Sequence, residues 1–257
     1  MRFKENKKLK HFTIAFILVI ITYILMIILS NNSKDFNKDL PVISVLESTR
    51  ENKDIKKILQ DELYVVQNIT EKTETYEINI FYPESKSQVL NPYIKNKIDL
   101  YIKDIKYQAK SHENDAQKGK HKLDINFYVT EGENGYISFI FVVRTDTKWF
   151  HINEYFFVIN YDNKSDKLIT QEVIEKQYKN LYVNLSNYTY NYLSQNEAIK
   201  KMGAIDMLKD GTKANRYNFL DIAFDGKDML VLFEKYQIAP YVLGSFEVKV
   251  PLENLMK

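Results

Sequence analysis

Four histidines, His11, His112, His121 and His151, are the side chains best suited to hold a metal or move a proton near neutral pH. None stands four residues from another, and no His-Glu-x-x-His cluster occurs, so a histidine-built metal site is not expected. The chain has no cysteine, which excludes thiolate ligands, a cysteine nucleophile, a disulfide frame and a lipid-modified cysteine anchor. A Gly-x-Ser-x-Gly elbow, a Walker loop and a dinucleotide fingerprint are absent as well. Carboxylates remain. Asp221, Asp225 and Glu234 lie near one another, where an acid pair for glycoside cleavage could form. With 34 acidic residues in the chain such neighbours are commonplace, and their plain role is turn and surface charge. The expectation is therefore no catalytic residue, no metal, no cofactor and no enzyme.

Recognition is the other chemistry that side chains can carry. Phe233 to Gly244 reads Phe-Glu-Lys-Tyr-Gln-Ile-Ala-Pro-Tyr-Val-Leu-Gly, between a strand at Met229–Phe233 and an alternating strand at Phe246–Val250. Pro240 cannot donate to a ladder and fixes its own φ. Gly244 is the natural place for a backbone angle that other residues avoid. Residues 234–244 are thus a shaped loop, either a packed corner or a rigid aromatic surface built on Tyr236 and Tyr241. Trp149 has the same two readings. It stands with His151 in the charged interruption Thr145–His151, as half-buried packing or as a binding hot spot. The candidate binding residues are Tyr236, Pro240, Tyr241, Gly244, Trp149 and His151.

These residues need a frame, and 257 residues suffice for a substantial core. The first ten residues carry five basic side chains against Glu5. Since the whole chain is +2, the remainder is a mildly acidic body of −2. That balance gives no reason to expect a nucleic-acid partner. Phe12–Leu29 is eighteen residues, apolar except for Thr13, Thr22 and Tyr23. As a helix it would span about 27 Å, close to the bilayer's hydrocarbon thickness. A cleaved signal peptide shares this grammar, but Ile27-Ile28-Leu29-Ser30-Asn31 offers no small-x-small cleavage site. The expectation is a single-pass membrane anchor at 12–30, a cytoplasmic tail at 1–11 and everything beyond it outside the cell.

Residues 31–59 read as a linker, with a weak helical pattern over 54–63. Leu63–Ile69 and Thr75–Tyr82 predict a hairpin, and Asn91-Pro92 predicts a helix start with Asn91 as its cap. Ile94, Ile98, Tyr101, Ile102 and Ile105 mark one face of that helix. Leu123–Val129 and Tyr136–Arg144 form a second hairpin, followed by strands at Asn153–Tyr161 and Lys167–Thr170. Helical spacing covers Gln171–Leu193 and again Glu197–Leu208, before strands at Tyr217–Phe224 and Met229–Phe233. The fold class this implies is α+β: an antiparallel sheet with helices packed on one face, preceded by one transmembrane helix.

Two stretches carry a family resemblance. Thr75-Tyr76-Glu77-Ile78-Asn79-Ile80-Phe81-Tyr82-Pro83, with the helix after Asn91, resembles the first module of bacterial extracytoplasmic proteins of the PdaC/RsiV type. The closing Tyr236-Gln237-Ile238-Ala239-Pro240-Tyr241, with Gly244 and Pro251, resembles the second. The resemblance implies a DUF4163-like module over 60–120 and a DUF3298-like module over 121–257. It also implies a function, because relatives include a membrane-bound anti-sigma factor whose exterior binds lysozyme. Others carry these modules in front of a peptidoglycan deacetylase domain. This sequence shows neither a folded cytoplasmic domain nor the deacetylase motifs. The expectation is a non-enzymatic surface protein that binds lysozyme or a similar muramidase. The alternative is a cell-wall module that binds peptidoglycan or assists a deacetylase.

Overall fold

The computed structural model describes residues 64–111, 119–147 and 152–256. The expected anchor at 12–30 and the helical pattern over 54–63 lie outside the described residues. No helix among the described residues is long and apolar enough to cross a membrane.

The first hairpin forms from β1 (Val65–Lys72) and β2 (Tyr76–Glu84), paired antiparallel. Helix α1 (Leu90–Ser111) follows and buries Leu90, Ile94, Ile98, Ile105 and Ala109, the expected apolar face extended at both ends. It starts one residue before Asn91. Ser87 Oγ accepts the backbone N–H of Leu90 at 2.8 Å, while the Asn91 amide reaches back to bond the Ser85 backbone. The capping chemistry foreseen at Asn91 is thus supplied by Ser87.

The chain then enters β3 (His121–Glu131), β4 (Tyr136–Asp146), β5 (Asn153–Asp162) and β6 (Lys167–Leu168), where β3–β4, β4–β5 and β5–β6 pair antiparallel. The junction of β2 with β3 is parallel. The expected all-antiparallel sheet is therefore a mixed one, six strands in the order β1-β2-β3-β4-β5-β6. The reason lies in α1, which returns the chain to the starting end of β2 as a crossover. Strands from both sides of residue 120 pair directly within this sheet.

Beyond β6 the helical stretch is broken into α2 (Gln171–Gln177) and α3 (Leu181–Leu193), because Asn180 takes a left-handed φ of 56°. Helices α4 (Glu197–Lys201) and α5 (Ile205–Gly211) are likewise split where one helix was expected, at Gly203. A short 3-10 turn at Arg216–Phe219 replaces the start of the expected strand. A second sheet then forms from β7 (Ile222–Asp225), β8 (Asp228–Phe233) and β9 (Phe246–Pro251), all antiparallel.

Alternation on the strands shows how the layers stack. Leu123, Ile125, Phe127, Phe139, Phe141, Val143, Phe157 and Ile159 pack in one core with the buried face of α1. Tyr128, Ile140 and Phe156, on the opposite face, pack against Ala223, Leu230 and Leu232 of the second sheet. Helix α3 contacts β9. Helices therefore do not share one face of a single sheet, as expected. Among the described residues one helix, α1, covers the large sheet, whose other face is taken by the small sheet. Strands β4 and β5 are covered on both faces, which accounts for their nearly continuous apolar runs.

Polar ties fix the two sheets in register. Ser138 Oγ donates to Asn160 Oδ1 at 2.6 Å and accepts from the Phe224 N–H at 2.8 Å, while the Asn160 amide donates to the Ile222 carbonyl at 2.8 Å. Ser138 and Asn160 are both paired, as their burial demands. At the centre of the other core Phe141 and Phe157 stack with centroids 4.3 Å apart. Replacing Phe141 by Ala is expected to cost about 3–5 kcal/mol, read as a lowered midpoint in denaturant unfolding.

Candidate functional site

The loop after β8 is built from the inside outward. Ile238 and Ala239 are buried and pin its middle. The Gln237 side chain accepts from the Glu234 N–H at 3.1 Å and donates to the Asn218 carbonyl at 2.9 Å. Gly211, the last residue of α5, lies so close that a Cβ there would stand 2.0 Å from the Gln237 carbonyl oxygen. Gly244 closes the loop at φ 74°, the angle for which a glycine was expected.

On this base stand the two tyrosines. Tyr236 is 59% exposed and its φ is +67°, unusual for a bulky residue. Holding it there costs about 1–2 kcal/mol, which the surrounding bonds must offset. Tyr241 is half-buried, and its hydroxyl donates to the Ile152 carbonyl at 2.6 Å. The rings meet with centroids 5.4 Å apart and a 39° tilt. Lys235 Nζ stands 5.0 Å from the centre of the Tyr241 ring, on the cation-attracting face. Tyr236 is thus the exposed member of the pair and Tyr241 its support.

Glu154 of β5 underlies the corner, a residue the sequence did not single out. Its carboxylate accepts from Ser245 Oγ and Arg144 Nε, both at 2.9 Å, and lies 4.0 Å from Lys235 Nζ. The structure brings Tyr236, Pro240, Tyr241 and Gly244 together in one corner. Trp149 and His151 lie outside the described residues, although the carbonyl of the adjacent Ile152 is the partner of Tyr241.

The first residue of the loop, Glu234, also borders a cleft of about 570 Å³ between α1, the edge of β5 and the start of β7. Lys97 and Tyr101 line it from α1, and Asp221 and Glu234 from the second sheet. Glu234 accepts the Phe156 N–H at 3.2 Å, and Asp221 lines the same cleft with Val158. Burial pushes Asp221 up to about 7, helped by the charge of Glu234, while the Val158 N–H and Lys97 pull the other way. Burial also raises Glu234, against the Phe156 N–H. Tyr101 is pushed up to about 12, by burial first and then by the two carboxylates. Asp221 and Glu234 were noticed in the sequence as neighbours, and the fold does bring them into one cleft. Asp225 stands apart from them in an ion pair with Lys249 at 2.6 Å.

Among the described residues no group of three or more His, Cys, Asp and Glu side chains could hold a metal. Residues 159–253 match the family model DUF3298, described as a protein of unknown function. Two solved structures share the fold at 15% sequence identity. A DUF3298 family member from Bacteroides fragilis aligns with a TM-score of 0.50, over 74% of this chain and 90% of its own. A DUF3298 family protein from Pseudomonas aeruginosa aligns at 0.52, over 75% and 90%. No functionally curated protein matches the chain. The DUF3298 part of the resemblance is therefore supported, and its segment contains the whole corner.

Gly211→Ala tests the frame of the corner directly. The new methyl group must displace the Gln237 backbone, so a loss of about 1–3 kcal/mol in unfolding free energy is expected. Hydrogen exchange should place the loosening in residues 234–244.

Proposed function

We propose that the chain is a membrane-anchored extracytoplasmic binding protein whose Tyr236–Tyr241 corner recognises a host lysozyme or a similar muramidase. The observation that supports this most is the state of Tyr236. A large aromatic ring is held 59% exposed at a backbone angle of +67°, on a base that is itself buried and hydrogen-bonded. A packing corner gains nothing from such an arrangement. A contact surface does, because a fixed aromatic ring loses little entropy when a partner covers it.

The identity of the partner rests on the resemblance of the closing motif to a lysozyme-binding exterior. The charge of the body, −2, is compatible with the approach of a strongly basic enzyme. Residues 12–30 would hold the body at the outer face of the membrane, with the N-terminus inside. The protein acts without catalysis, by sequestering or inhibiting the muramidase it captures.

Membranes or detergent micelles carrying the full chain should retain lysozyme at low salt. Purified peptidoglycan alone should not sediment the protein. Absence of lysozyme capture would overturn the proposal, and peptidoglycan binding in its place would point to a wall-binding module. Tyr236→Gly separates surface from packing. Glycine accepts the positive φ freely, so stability should rise by about 1 kcal/mol or stay level. Lysozyme affinity should nevertheless fall roughly tenfold or more, measured by titration calorimetry.

A further inference from the structure

We propose that the outer edge of β5 docks an extended peptide segment, which adds there as a strand and carries basic side chains at alternate positions. Over residues 153–160 this edge has no strand neighbour among the described residues, since β6 pairs only with Tyr161 and Asp162. Phe156 shows which backbone groups point outward, because its N–H leaves the sheet to reach Glu234 Oε1 at 3.2 Å. In an antiparallel ladder every second residue directs both its N–H and its C=O to one edge. Val158 therefore turns both groups the same way. So does Asn160, whose carbonyl takes the Ile169 N–H at 2.7 Å. Beyond that bond the chain turns away into α2. What remains is a row of backbone donors and acceptors, the template for one more strand.

The edge has room beside it. Phe156–Asn160 line the cleft of about 570 Å³, with Tyr93, Lys97 and Tyr101 of α1 on one side and Leu220, Asp221 and Glu234 on the other. Five residues of strand run about 17 Å, enough for a guest of about the same length. Tyr93 and Leu220 are 40% and 55% exposed there and offer apolar surface for a guest to cover.

Charge decides what the guest is. Glu234 stands at Phe156, and the Asn160 amide reaches the Ile222 carbonyl at 2.8 Å, so Asp221, just before Ile222, follows the same edge. Both carboxylates belong to the small-sheet side, which Phe156 and Val158 also face, while Phe157 and Ile159 face α1. Arg216 in the cleft wall is committed to Glu172, and Lys97 lies 5.9 Å from the centre of the Tyr93 ring. Side chains of an added strand alternate in the same way. Two basic residues separated by one position therefore meet Asp221 and Glu234, while the apolar residue between them turns to Tyr101. Glu234 keeps the Phe156 N–H and gives its other oxygen to the cation. A second copy is a poorer guest, because edge-to-edge pairing would set the same acids against each other.

The full chain in neutral detergent micelles tests this with a labelled, end-capped peptide of alternating Lys and Val. Fluorescence anisotropy should show saturable binding, and hydrogen exchange should show new protection within residues 156–160. N-methylation of the peptide along one edge keeps its charge but removes its ladder donors, and should weaken binding roughly tenfold or more. A peptide with Glu in place of Lys should not saturate. Asp221→Asn and Glu234→Gln should each weaken the Lys peptide about fivefold or more, and Asp225→Asn, outside the cleft, should leave its affinity unchanged. Equal affinity for the methylated and unmethylated peptides would leave only unspecific charge attraction and overturn the proposal. So would absence of binding, full affinity in both folded carboxylate variants, or protection that appears elsewhere. Full protection of the Val158 amide in the free chain would mean an edge already filled, and would overturn it too. Lysozyme capture is read in a separate experiment, and either result stands without the other.

Discussion

A strand edge with no strand neighbour among the described residues, inside a covered sheet, is the constraint on which this structure turns. Strand β5 is packed on both faces, by the α1 core and by the second sheet. Yet its outer edge meets β6 only at Tyr161 and Asp162. Backbone N–H groups in such a place must find acceptors, because leaving them orphaned costs more than any one bond returns. For the Phe156 N–H that acceptor is the carboxylate of Glu234, the residue after β8. Burial of Glu234 is therefore a consequence of how β5 is finished, and burial raises both its carboxyl and that of Asp221, which lines the same cleft.

The same arrangement positions the corner. Because Glu234 is tied to Phe156 at 3.2 Å, the loop leaves β8 in a fixed direction. Gln237, Ile238 and Ala239 then fasten its middle, and Glu154 gathers Ser245 and Arg144 beneath it. Strain at Tyr236 is sustained by these surroundings. Local strain of this kind is tolerated where presenting a side chain matters more than the best backbone angle.

Much of this was legible in the sequence, and what was missed has physical causes. The β1–β2 and β3–β4 hairpins and the buried face of α1 announce themselves through local periodicity and turn residues. The parallel β2–β3 pairing does not, since it depends on how a 22-residue helix carries the chain back across the sheet. Nor does the second sheet, because β4 and β5 read as simply apolar whichever layer covers them. The breaks at Asn180 and Gly203 interrupt patterns whose apolar spacing runs straight through. Asp221 and Glu234 could be seen as neighbours, but nothing in a sequence marks the Phe156 N–H as the donor that needs Glu234. Loop shape at Pro240 and Gly244 was readable. Which tyrosine faces out depended on the Tyr241 bond to Ile152.

Chemical footprinting of tyrosines offers the most direct test that the corner is the contact surface. Mild nitration of the free protein should modify both Tyr236 and Tyr217, which are 59% and 82% exposed. With saturating lysozyme the account predicts that Tyr236 becomes protected while Tyr217 reacts as before. Unchanged reactivity of Tyr236 in a complex that demonstrably forms would contradict it.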